Sequence, residues 1–118
     1  MSNTTHAIIA GSANFGDYEL FCKEMDFSLS KSASVEIHIL CLFGSGTEKL
    51  AHLYVTERGY QHSSWSKTTN FGDTLTSVVN AIKQAGGTRL GMMIFGNDEQ
   101  VIELSNTCVE LGLKYRII

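Results

Sequence analysis

The chain has 118 residues, 43% of them hydrophobic and 18% charged, with a formal net charge of -3. Those values argue against a disordered chain, leave no apolar run of bilayer length and provide no basic surface for nucleic acid. A single domain over residues 1–118 is expected, large enough to bury a core and too short to carry a separate substrate domain.

The stretch that organises the rest is Ala7 to Asp17, AIIAGSANFGD. A short apolar run stops at Gly11 and opens into a loop of small residues, as a strand buried on both faces does when it feeds a helix. From Asp17 to Phe27, Tyr18, Phe21, Cys22 and Met25 recur at helical spacing. Ser28 to Ser34 is polar and predicts a turn. Val35 to Phe43, VEIHILCLF, reads as a central strand, and Gly44 to Thr47 leads into a helix from Glu48 to Arg58. Tyr60 to Trp65 is a weak third strand. The next helix is expected to be capped by Asp73 or Thr74 and to run to Gln84, with Gly86 and Gly87 ending it.

Leu90 to Phe95 gives a fourth strand, and Gly96, Asn97 and Asp98 precede a helix closed by Gly112. Lys114 to Ile118 is a short final strand at an edge. Five strands alternating with four helices predict an α/β fold: a Rossmann-like three-layer sandwich with a mostly parallel five-stranded sheet. Right-handed crossovers gather the loops after the strands at one end, where ligands bind beside a reversal of strand order.

At these loops the sequence resembles the SLOG superfamily of Rossmann-like ligand-binding domains, which includes the lonely-guy phosphoribohydrolases and the DprA-type domains; the nearest branch is YspA-like. The family's GSR-x-F-x-D-Y pattern is matched by Gly11, Ser12, Phe15, Asp17 and Tyr18. Its GAD-x-LA pattern is matched by Gly46, Thr47, Glu48, Leu50 and Ala51, and Trp65 is comparable to a further tryptophan. Ala13 replaces the arginine of the first pattern and Glu48 the aspartate of the second, and the PGGxGTxxE motif of the phosphoribohydrolases is absent. The resemblance implies a nucleotide-type ligand more directly than it implies bond cleavage.

The candidate ligand-binding residues are Gly11, Ser12, Asn14, Phe15, Gly44, Ser45, Gly46, Thr47, Glu48, Trp65, Gly96 and Asn97. Main-chain N–H groups of the glycine loops are expected to hold phosphate oxygens, since those loops contain no lysine or arginine. Glu48 is expected to accept ribose hydroxyl bonds, and an aromatic ring among Phe15, Phe43, Trp65, Phe71 and Phe95 to stack on a base. No catalytic residue is assigned. Cys22, Cys41 and Cys108 lack metal-ligand spacing and read as reduced thiols, the four histidines are scattered, and neither a metal nor a separate cofactor is expected.

The function expected is binding of a nucleotide-derived small molecule (ADP-ribose-like, cyclic or modified) without turnover. The role is that of a sensor, or of a sequestering protein that blunts nucleotide immune signalling as viral anti-defence proteins do. Two alternatives stand beside it: an N-glycosidic, phosphoribohydrolase-type enzyme using Glu48 or Asp98, and a scaffold domain with a vestigial cleft. The expected partners are that ligand and a second copy in a homodimer or higher homo-oligomer, with neither nucleic acid nor membrane. The start of the chain lacks a basic, apolar leader, which gives a cytoplasmic expectation.

Overall fold

The computed structural model describes residues 4–12, 15–30, 36–42, 47–65, 71–85, 89–96 and 99–118. Strands and helices alternate throughout: β1 (Thr4–Gly11), α1 (Tyr18–Ser30), β2 (Glu36–Leu42), α2 (Glu48–Arg58), β3 (Gln61–Trp65), α3 (Phe71–Gln84), β4 (Arg89–Phe95), α4 (Glu99–Leu111) and β5 (Tyr115–Ile117). The strands form one sheet in the order β3-β2-β1-β4-β5, and every pair is parallel. The sheet is thus wholly parallel among the described residues, where the sequence predicts mostly parallel pairing.

Alternation along each strand decides what each face buries. Ile8 and Ala10, Leu40, and Met92 and Ile94 point to one face, where α3 supplies Leu75, Val78 and Val79 and α4 supplies Leu104 and Cys108. Ala7 and Ile9, Ile39 and Cys41, and Met93 and Phe95 point to the other, under Phe21 and Met25 of α1 and Ala51 and Tyr54 of α2. Strands buried on both sides explain why β1 and β4 read as continuous apolar runs. Each fully buried large side chain contributes about 1.5–3 kcal/mol relative to exposure.

The helices divide two and two because the chain first winds outward from β1 through β2 to β3, then returns past β1 to β4 and winds the other way. Crossovers of one hand that proceed in opposite directions lie on opposite faces. The reversal falls between β1 and β4, directly beneath the Gly11 and Gly96 loops.

Most element boundaries agree with the sequence expectation to within a residue, and those of β1, α1 and α3 differ by more. β1 begins at Thr4 instead of Ala7, because polar Thr4 and Thr5 still have ladder partners in Glu36 and Ile37 of β2. α1 continues through the expected turn to Ser30, because buried Leu29 extends the Phe21 and Met25 stripe by one further step of four residues. α3 begins at Phe71, which places Asp73 and Thr74 inside it and not at its cap. There, the Gly72 N–H donates to Glu103 Oε1 of α4 at 3.0 Å, a tertiary partner that no local pattern encodes. No helix among the described residues is long and apolar enough to cross a membrane.

Candidate functional site

Described residues that follow β1, β2 and β4 come together at the strand reversal. Gly11 is the last residue of β1, opposite Phe95 of β4, and the Ser12 N–H continues the pairing by donating to the Phe95 carbonyl at 2.7 Å. A Cβ at Gly11 would collide with that same carbonyl oxygen and lie 2.9 Å from Cγ2 of Thr47. Gly96 has φ +115°, and a Cβ there would overlap the Ser12 side chain. Ser12 and Thr47 are consequently buried, with 1% and 0% exposure. Gly11, Ser12, Thr47 and Gly96 therefore form one packed junction from three loops.

The bareness of these glycines is explained by backbone approach within the fold, and the donors beside them are already used. The Ser12 N–H serves Phe95, the Gly96 N–H donates to the Ile118 carbonyl at 3.2 Å, and the Phe15 N–H donates to the Ser12 carbonyl at 3.2 Å. The Ser12 N–H is thus engaged within the sheet, because the parallel pairing of β1 with β4 continues to the residue after Gly11. Asn14, Gly44, Ser45, Gly46 and Asn97 lie outside the described residues, as do Ala13, Phe43 and Asp98.

Phe95 is buried, with its ring 5.2 Å from that of Phe15 and 4.7 Å from that of Phe21. Phe15 is half-buried, which leaves it as the described aromatic ring of this row that can meet a ligand. Asp17 caps α1, its Oδ1 accepting the Leu20 N–H at 3.1 Å. Glu48 opens α2 half-buried, and its negative charge supports protonation of His62 on β3, against the effect of burial. Its field is thus felt toward the β3 edge, while Thr47, the described residue of this loop, reaches β1. Trp65 ends β3, and its side chain lies outside the described residues; Lys49 is exposed.

The histidines, scattered along the chain, come together in pairs. His6 and His38 are register partners on β1 and β2, their rings 5.7 Å apart, and His38 Nε2 lies 2.8 Å from Ser63 Oγ. His52 of α2 and His62 stand 5.8 Å apart. Burial lowers the pKa of His6, His38 and His62, and for His38 the positive charges of His6 and His62 lower it further. His6 and His38 sit toward the strand starts, away from the junction. Among the described residues no group of three or more His, Cys, Asp or Glu is arranged to hold a metal ion. Cys41 and Cys108 are buried and Cys22 half-buried, none of the three in a disulfide, and burial pushes the Cys108 thiol up to about 11.

The other feature that sequence reasoning missed is an apolar pocket of about 560 Å³ between the second half of α1 and the starts of β4 and β5. Its signal was present in Gly91, a glycine inside an otherwise apolar strand. In comparisons with known proteins, no family model matches this chain and no curated protein is similar to it in sequence.

Proposed function

We propose that this protein binds a nucleotide-derived small molecule over the β1–β4 junction and releases it unchanged. The observation that supports the reading most is the convergence of three post-strand loops, through Ser12, Thr47 and Gly96, at the reversal of strand order in a parallel sheet. In open sheets of this kind ligands sit in the crevice beyond the carboxyl ends of the strands at that point. The likeness of the Gly11–Tyr18 and Gly46–Ala51 motifs to SLOG domains supports a nucleotide-type ligand. Phe15 supplies a base-stacking face, Glu48 accepts ribose hydroxyls, and Asn14, Asn97 and the Gly44–Gly46 loop supply the remaining polar contacts. Asp17 caps α1, and Glu48 is the carboxylate that serves binding in this proposal.

The role that fits such a binder is sensing or sequestration of a nucleotide signal, with the protein acting as a homodimer. A thermal-shift panel of ADP-ribose, cyclic nucleotides and mononucleotides, followed by heat release and chromatography of whatever binds, tests the proposal. Stabilisation by at least one compound, recovered intact, is expected. Recovery of a base and a ribose phosphate would replace the binder with a glycosidic hydrolase, and no stabilisation by any compound would leave a scaffold domain.

A further inference from the structure

The pocket under α1 lies toward the starts of β1 and β4, about 10–17 Å from the junction along β4. Its walls are Met25 and Leu29 of α1 and Met93 of β4, all buried core residues, and its floor is Gly91. Gly91 does not have a positive φ, and among the described residues a Cβ there would meet just the Lys114 carbonyl oxygen, at 3.6 Å, an ordinary contact. Neither backbone conformation nor crowding therefore requires glycine at this place, although glycine inside a strand is unfavourable. What its missing side chain preserves is the space itself.

The polar corner of the pocket has a definite chemistry. Ser28 Oγ donates to the Met93 thioether sulfur at 3.2 Å, a weak acceptor, and itself accepts from the Arg116 guanidinium at 2.8 Å. Arg116 is held over the Phe27 ring and paired with Glu24, so the guanidinium is fixed at the rim. A carboxylate entering this corner would accept the Ser28 hydroxyl hydrogen bond in place of the weakly accepting sulfur and face Arg116 beside its Glu24 partner, a charge-assisted hydrogen bond where the resting one is weak. Methionines on the walls adapt to irregular apolar shapes and make favourable contacts with aromatic rings. The volume lies within the range of small-molecule sites that combine apolar walls with a few converging polar groups.

We infer that this pocket is a second ligand site, separate from the junction, which takes a monocarboxylate with a compact apolar body: the carboxylate lies at Ser28 and Arg116 and the body over Gly91 between Met25 and Met93. The probe is 4-phenylbutyrate, with 4-phenyl-1-butanol as its uncharged control, titrated into the full chain carrying 13C-methyl methionine. Saturable ring-current shifts of the Met25 and Met93 methyl signals are expected, with the alcohol about tenfold weaker. Gly91→Leu should fill the floor and remove the shifts, and Ser28→Ala, which leaves the walls intact, should bring the acid down to the affinity of the alcohol. Absence of saturable shifts in the wild-type chain, or equal shifts in the wild type and both variants, would overturn the inference. The junction is read separately by ADP-ribose at the Gly96 amide, so either site can fail while the other stands.

Discussion

At the residue scale, the junction of Gly11, Ser12 and Gly96 makes demands that do not depend on any ligand. A methyl group at Gly11 must displace the Phe95 backbone, and one at Gly96 must displace Ser12 while holding a positive φ. Gly11→Ala is therefore expected to cost about 1–3 kcal/mol or more, measured by urea denaturation. Gly91→Ala, where a Cβ makes an ordinary contact with the Lys114 carbonyl oxygen, should be neutral or stabilising in the same assay. The histidines give a second prediction. Their folded pKa values lie below the usual 6.5, so the unfolded chain binds protons more readily. Their contribution to stability is complete above pH 6.5 and is lost as pH falls through the lowered folded values. The melting temperature should decline from pH 7 toward pH 5, and His38→Gln should make that decline shallower; an unchanged slope would contradict it. These pairings were not legible in the sequence, because His6 and His38 become neighbours through strand register and no local spacing encodes it.

At the scale of elements, α1 and α2 are tied by a contact whose energy is unevenly shared. Asp26 accepts from the buried Tyr54 hydroxyl at 2.6 Å and from Arg58 at 2.9 Å, and the guanidinium lies over the Tyr54 ring. Arg58 holds the Asp26 carboxyl below its usual range, while burial and Asp26 hold the Tyr54 hydroxyl protonated far above its own. The ion-pair side chains are 30% and 51% exposed, so solvent weakens that part. Asp26→Ala should cost about 1–3 kcal/mol, chiefly by stranding the Tyr54 hydroxyl. Arg58→Lys should cost under about 1 kcal/mol. Paired denaturation curves measure both, and equal costs would show that the ion pair dominates. The elements themselves were legible from spacing: the apolar strands and the stripes of α1, α3 and α4 fixed their number and order. Their ends were less so, since the polar run Ser28–Ser30 hides the anchor Leu29 and the start of α3 is satisfied by Glu103 from another helix.

At the scale of the whole molecule, the alternation of strands and helices made the parallel sheet legible, and right-handed crossovers made it legible that the loops share one end. Chain order alone could not show that the Ser12 and Gly96 donors are consumed within the fold, or that a pocket opens toward the strand starts. The proposed homodimer has a surface to use. Ile102 and Val109 stand seven residues apart on α4 with 60% and 67% exposure, and Ile117 on β5 is 50% exposed. β5 pairs with β4 alone among the described strands, so a two-fold contact there would cover apolar side chains and an open strand edge together. Sedimentation at micromolar concentration should give a dimer mass, and Val109→Glu should shift it to the monomer; a monomeric wild-type protein would remove this part of the proposal.

The central claim is that a nucleotide-type ligand sits over the β1–β4 junction and is not consumed. An amide-resolved NMR titration with ADP-ribose, followed by chromatography of the same sample, tests it most directly. The expected result is saturable movement of the Ser12, Phe15, Thr47 and Gly96 signals with ADP-ribose recovered whole, and roughly tenfold or more weaker binding in Glu48→Gln, as loss of a charge-assisted acceptor requires. Signals that stay fixed at the junction, or cleavage of the ligand by the wild type that Glu48→Gln abolishes without loss of affinity, would contradict it.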